Sequence, residues 1–111
     1  MSLVLNVVTD KDGRRQVLSV RGEVDIATVD ELAAELASLD NDNEVILDLT
    51  STDFMDSSGL RLIIETNDRF TTLGRSFKLA VSSGPIARLL DVTGTRDQLD
   101  VHDTVEEAAS G

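Results

Sequence analysis

The chain has 111 residues, a length that suits one domain, and with 41% hydrophobic residues it can bury a core. With no Trp, no Tyr and three Phe, that core must be built from Leu, Val, Ile and Ala; with no cysteine, there is no disulfide, thiolate metal site or cysteine nucleophile. A net charge of −11, from 21 acids against 10 Lys and Arg, makes nucleic acid and anionic membranes poor partners, because phosphate-backbone binding needs a clustered basic surface.

The same charge would steer a basic protein partner toward the chain, or it serves solubility alone. No apolar run approaches the ~20 residues of a membrane span. The opening MSLVLNVVTDKDG lacks a basic start and meets acids early, unlike a signal peptide. The expectation is a soluble, cytoplasmic protein.

Leu3–Thr9 reads as a strand, Asp10–Gly13 (DKDG) as a turn and Arg15–Arg21 as a second strand, which together predict a hairpin. RGEVDIAT reads as a loop, and Thr28 and Glu31 have capping-box spacing. Val29, Leu32, Ala33, Leu36 and Leu39 follow at helical spacing, and DNDNE (Asp40–Glu44) breaks that helix. Val45–Leu49 is a short, branched, nearly continuous apolar run, as expected of a strand buried on both faces.

After a polar loop, Leu60, Ile63, Ile64, Phe70 and Leu73 predict a helix of about four turns, with Gly74 as its C-terminal cap. Phe77–Val81 reads as another buried strand. SSGP opens a third helix with Pro85 in its first turn, Ile86, Leu89 and Leu90 on one face and Gly94 at its close. Leu99–Val101 reads as a last short strand, and Asp103 and Glu106 have capping spacing ahead of a weak helix through Ala109. Strands alternating with helices predict an α/β domain with a mostly parallel mixed sheet of four to five strands, an N-terminal hairpin and about four helices.

The junction DSSGL, Asp56–Leu60, invites a chemical question. Asp and Ser are the best N-caps, so Asp56 or Ser57 can accept the free amides of the first turn. Gly59 permits close packing of helix on strand, yet inside a first turn it costs ~1 kcal/mol relative to alanine and leaves backbone open to a partner. A serine at a helix N-terminus also sits where free amides and the helix dipole favour an added phosphate. The residues alone do not choose between Ser57 and Ser58.

A serine hydrolase would need a base, and the only histidine is His102 in the C-terminal stretch; there is no G-x-S-x-G elbow. No G-x-x-x-x-G-K-[ST] or G-x-G-x-x-G is present to cradle a nucleotide. Asp48, Asp53 and Asp56 cluster around one strand end and suggest magnesium, but in a chain with 21 acids they read more simply as solvated loop residues. No metal, cofactor or catalytic residue is expected.

VILDLTSTDFMDSSGLRLII, Val45–Ile64, resembles the signature of the STAS domain, in particular the bacterial anti-sigma factor antagonists, and VRGEVDIATVDEL, Val20–Leu32, is similar to that family's other typical segment. The resemblance covers essentially the whole chain, 1–111. It implies a partner switch: the unphosphorylated antagonist binds an anti-sigma factor that is also a serine kinase, frees the sigma factor, is released when a serine of D-S-S-G is phosphorylated, and is restored by a PP2C-type phosphatase. The phosphoserine of the family matches Ser57; Asp56, Ser58 and Gly59 match the rest of the motif, and Asp25 matches a loop aspartate near the phosphosite. Ile26 stands where the family often carries a polar residue.

Val24, Asp25, Phe54, Met55, Asp56, Ser58, Leu60 and Arg61 flank the acceptor and are candidates for the contact surface, although Phe54 and Met55 suit a core equally well. A STAS chain can instead be a scaffold subunit of a sensory or lipid-transport assembly, or a nucleotide-binding module.

Overall fold

The computed structural model describes residues 3–39 and 44–110. Two apolar segments, β1 (Val4–Thr9) and β2 (Arg15–Val24), pair antiparallel as the expected hairpin. Asp10 closes the turn: its Oδ1 accepts the backbone N–H of Arg14 and Arg15 at 2.9 and 3.2 Å. Helix α1 (Val29–Ser38) buries Leu32 and Leu36 and leads to β3 (Glu44–Asp48), parallel to β2. Residues 40–43 of the predicted helix break lie outside the described residues.

The chain continues through β4 (Thr52–Met55), α2 (Ser57–Thr72), β5 (Phe77–Ala80), α3 (Pro85–Thr93), a 3-10 turn over Arg96–Gln98, β6 (Val101–His102) and α4 (Val105–Ser110). The sheet runs β1-β2-β3-β5-β6, with β4 added to the far end of β2, and only β1 is antiparallel to its neighbour. Among the described residues it has six strands rather than four or five because a strand forms where the sequence suggests only loop. β2 runs three residues past the predicted Arg21, and its register shifts between Gly22 and Glu23. Its first half pairs with β3, and Gly22–Val24 pair with β4.

The helical face holds the main core, in which Leu18, Val20, Leu47 and Leu79 of the sheet meet Leu32, Leu36, Ile63, Phe70, Ile86 and Leu90 of the helices. On the opposite face α4 seats Ala108 against Ile46 and Ala80, flanked by Val17 and Val105. β3 is therefore buried on both sides, as its unbroken apolar run predicts.

Beside this smaller core lies a cluster of charges. Glu44 pairs with Arg15 Nε at 2.6 Å and with Lys78 Nζ at 3.1 Å, and accepts the Ser76 hydroxyl at 3.1 Å. Lys78 Nζ also donates to the Ala108 carbonyl, and Arg15 Nη2 to that of Ala109, both at 3.0 Å. Two cations thus satisfy the last carbonyls of α4, at the negative end of its dipole. Burial pushes the Glu44 carboxyl up, but hydrogen bonds from Arg15, Lys78 and Ser76 outweigh it and hold it below its usual value.

Three predicted boundaries need correction. Thr28 does not cap α1: its hydroxyl accepts the Asp25 N–H at 3.0 Å and donates to the Glu23 carbonyl at 2.7 Å, while Glu31 accepts the Leu3 N–H at 3.0 Å instead of closing a box. The cap of α4 is Thr104, not Asp103; its hydroxyl accepts the Glu107 N–H at 3.0 Å. The last strand is Val101–His102, because Arg96–Gln98 winds into a 3-10 turn that ends at Leu99. The end of α2 is as read: Gly74 is left-handed at φ 69°, and Arg75 N–H closes on the Phe70 carbonyl at 2.8 Å.

Candidate functional site

Asp56, Ser57, Ser58 and Gly59 form the entry to α2, immediately after β4. Asp56 is extended at φ −102°, ψ −171°, and its N–H donates to the Val24 carbonyl at 3.0 Å, which fixes the motif to the end of β2. Its Oδ1 accepts the N–H of Ser58 at 2.9 Å, the N–H of Gly59 at 3.4 Å and the Ser58 hydroxyl at 2.5 Å. Asp56, rather than Ser57, is therefore the cap. The Leu60 N–H donates to the Asp56 carbonyl at 3.2 Å. The amides of Ser58, Gly59 and Leu60 are thus engaged, which corrects the expectation that they stand free for a phosphate.

The Ser58 hydroxyl first, with the amides of Ser58, Gly59 and Ile26, pulls the Asp56 carboxyl below its ordinary value against the opposing desolvation. A carboxyl lowered in the folded state stabilises that state above its unfolded pKa and loses the contribution as pH falls through the folded one. The Asp56 contribution is complete above pH 3.8 and is lost below it. Asp56→Asn should flatten the fall in thermal stability in that acid range, which a series of melts against pH measures.

The two serines differ. The Ser58 hydroxyl is held by Asp56, whereas Ser57 is exposed and its hydroxyl has no partner among the described residues. Gly59 is buried, and a Cβ there would lie 2.7 Å from Met55 Cγ and 2.8 Å from Val24 Cγ1. Its smallness serves the seating of α2 on β2 and β4; it does not open backbone to a partner, as sequence alone suggests.

Val24, Met55 and Leu60 are core residues at 0%, 5% and 8% exposure, so these three candidate contact residues offer no side chain to a partner. Alternation along β4 decides the outcome: Met55 turns inward and Phe54 outward, 46% exposed. Asp25 is turned into its own loop, where Oδ1 accepts the N–H of Ala27 and Thr28 at 3.0 and 3.2 Å. That loop still abuts the motif, through Val24 and Ile26.

A groove of about 420 Å³ runs from Ser57 and Ser58 between α1 and α2. Ile26, Val29, Ala33 and Leu62 give it an apolar lining; Asp30, Glu65 and Arg61 bring its charges. Ile26 is 79% exposed. The α1 side of this groove is not singled out by sequence, although Ser57, Arg61 and Glu65 stand at four-residue spacing, the signature of one helix face.

The other candidates are occupied elsewhere. Asp48 accepts the hydroxyls of Thr50 at 2.6 Å and Ser19 at 3.3 Å, and no cluster of three or more His, Asp or Glu able to hold a metal ion is found among the described residues. His102 lies 2.7 Å from Asp100 and is partly covered. No helix among the described residues is long and apolar enough to cross a membrane.

A hairpin-led parallel sheet with D-S-S-G at the entry to a helix defines the STAS class of domain, whose family model matches residues 6–108; the chain belongs to the STAS domain family. The anti-sigma-B factor antagonist of Staphylococcus epidermidis is 30% identical over 108 residues, covering 96% of this chain and 98% of that protein. That of Staphylococcus aureus is 29% identical over 104 residues, covering 92% and 96%. Among solved structures, an anti-sigma factor antagonist from Mycobacterium paratuberculosis superposes with a TM-score of 0.89 at 21% identity, over 97% of this chain and 92% of that one. The anti-sigma factor antagonist SpoIIAA in its unphosphorylated form gives 0.68 at 23% identity, over 96% and 93%. At these identities the two structures speak for the fold.

Proposed function

We propose that the chain is an anti-sigma factor antagonist that works by partner switching in the cytoplasm. In its unphosphorylated form it binds an anti-sigma factor with serine kinase activity and so frees the sigma factor. Phosphorylation at Ser57 ends that binding, and a PP2C-type phosphatase restores it. The chain acts as a binding module and a substrate, not an enzyme: the base and the ATP belong to the kinase.

One observation carries the assignment to Ser57. Its hydroxyl is exposed and without a partner among the described residues, while that of Ser58, one residue on, donates to Asp56 at 2.5 Å. A kinase can take the first into its active site without breaking any hydrogen bond; taking the second would break its bond to the capping carboxylate of Asp56. Asp25, Phe54, Asp56, Ser58, Arg61 and Ile26 surround the acceptor and form the proposed contact surface.

A phosphate adds about −1.5 to −2 charges at neutral pH, beside Asp56 on a chain whose net charge is already −11. Like charges brought together at an interface cost several kcal/mol, and every ~1.4 kcal/mol is tenfold in affinity. Ser57→Ala should therefore keep wild-type affinity for the kinase partner, and Ser57→Asp should weaken it at least about tenfold by calorimetry. Equal affinities for the two variants would reject the switch.

A further inference from the structure

We propose that Arg61 is the intramolecular counter-ion of phosphoserine 57, so that modification draws this arginine onto the phosphate and away from the partner surface. The inference rests on the reading of Ser57 as the acceptor and adds where the phosphate goes once it is there.

A phosphate at the start of a helix ordinarily finds free backbone N–H groups. Here Asp56 has taken those of Ser58 and Gly59, and that of Leu60 is spent on the Asp56 carbonyl. The Ser58 hydroxyl, a further donor, is held by the same carboxylate. Apart from the N–H of Ser57 itself, a phosphate on Ser57 must look for its donors outside the cap.

The groove that begins at Ser57 supplies one cation. Of its lining residues, Asp30 on α1 and Glu65 on α2 are acidic, and Asp56 and Asp25 stand at its Ser57 end; Arg61 alone is basic. Arg61 is exposed, one turn beyond Ser57 on the same side of α2, and no hydrogen bond or ion pair engages it among the described residues. Residues four apart on a helix have Cβ atoms about 5–6 Å apart, within reach of an arginine. The guanidinium fork suits a phosphate better than the single carboxylates nearby, because it can offer two parallel N–H groups.

The pair would also balance the charge of the modified chain. Without Arg61 a doubly charged group would sit among Asp25, Asp30, Asp56 and Glu65 with nothing to balance it. With Arg61 swung onto it, the modified chain keeps its fold, and the cation that a partner's carboxylate could have met is withdrawn.

The test needs no partner and no kinase. Phosphoserine is placed at position 57 of the full chain by genetic encoding, and its second ionisation is followed by phosphorus NMR against pH. A cation one helical turn away favours the dianion, so the phosphoserine pKa should rise by roughly 0.2–0.4 units in Arg61→Gln, return most of the way in Arg61→Lys, and stay unchanged in Arg88→Gln, a control on α3. The same pKa in the native and Arg61→Gln chains would overturn the proposal, as would an equal rise in Arg88→Gln. A partner affinity indifferent to phosphoserine at position 57 would instead overturn the switch itself and leave the NMR result readable.

Discussion

Replacing Gly59 with valine should cost the folded state about 3 kcal/mol, at the upper end of what overpacking a well-filled core does. An added Cβ alone would stand 2.7 Å from Met55 Cγ and 2.8 Å from Val24 Cγ1, and valine adds two methyl groups in the same direction. Neither neighbour can retreat easily: Val24 is fully buried at the end of β2, and Met55 is 5% exposed. Glycine inside a helix costs about 1 kcal/mol relative to alanine, which a branched residue regains only in part because its χ1 is restricted there.

Urea unfolding of the variant measures the loss. Met55→Ala opens the space that the new methyl groups need, so the double variant should be less damaged than the sum of the two single ones, with a coupling of at least about 1 kcal/mol. Strict additivity would mean that the glycine is needed for something other than room. The same substitution should lift the first turn of α2 off β4 and with it displace Ser57, so partner binding should fall together with stability.

Lys78→Ala should cost about 3 kcal/mol, the lower end of the range for removing one member of a buried ion pair. Lys78 is 7% exposed, and its ammonium meets both the Glu44 carboxylate and the Ala108 carbonyl. Removing it leaves the carbonyl without its donor and the carboxylate with Arg15 and Ser76 alone. The lower figure applies because the Glu44 side chain keeps 20% of its surface in water.

The loss has a ceiling, since a six-residue helix can detach before the sheet unfolds. Amide exchange should therefore rise first over Val105–Ser110. Uniform acceleration across the whole chain would show that α4 does not come away by itself. Glu44, which loses one of the hydrogen bonds that hold its carboxyl low, should also contribute less to stability above pH 4.5, with a correspondingly smaller fall on acidification below it.

What sequence makes legible follows from which interactions are local. The hairpin turn, the apolar run of β3 and the glycine end of α2 are written in adjacent residues, and each forms where periodicity and turn chemistry say. β4 escapes because STDFM has too little alternation to stand out; it becomes a strand only by pairing with the end of β2, some thirty residues earlier. The capping box at Thr28 fails for a related reason: Glu23, Asp25 and Leu3 offer its side chains better partners than α1 does.

Lys78 illustrates a different limit. A lysine in an otherwise apolar strand is tolerable only if something buried receives it, and both receivers, Glu44 and the end of α4, are distant in sequence. At the site, the motif itself is plain to read, but the inward turn of Met55 and Gly59, the holding of Ser58 by Asp56 and the groove against α1 all depend on how α2 is seated. Local order therefore yields the address of the serine and not the fate of its neighbours.

β2 carries a consequence for cooperativity. It pairs with β1 along one edge and successively with β3 and β4 along the other, so three strands lean on one ten-residue segment. None of β1, β3 and β4 can melt away without taking hydrogen bonds from it, which ties these four strands into a single unit in the sense of native-state exchange. A domain wired in this way has few partly open forms to visit. It suits a module whose surface charge changes while its backbone stays put, and it makes the amides of β2 the clock by which the rest of the molecule's opening is read.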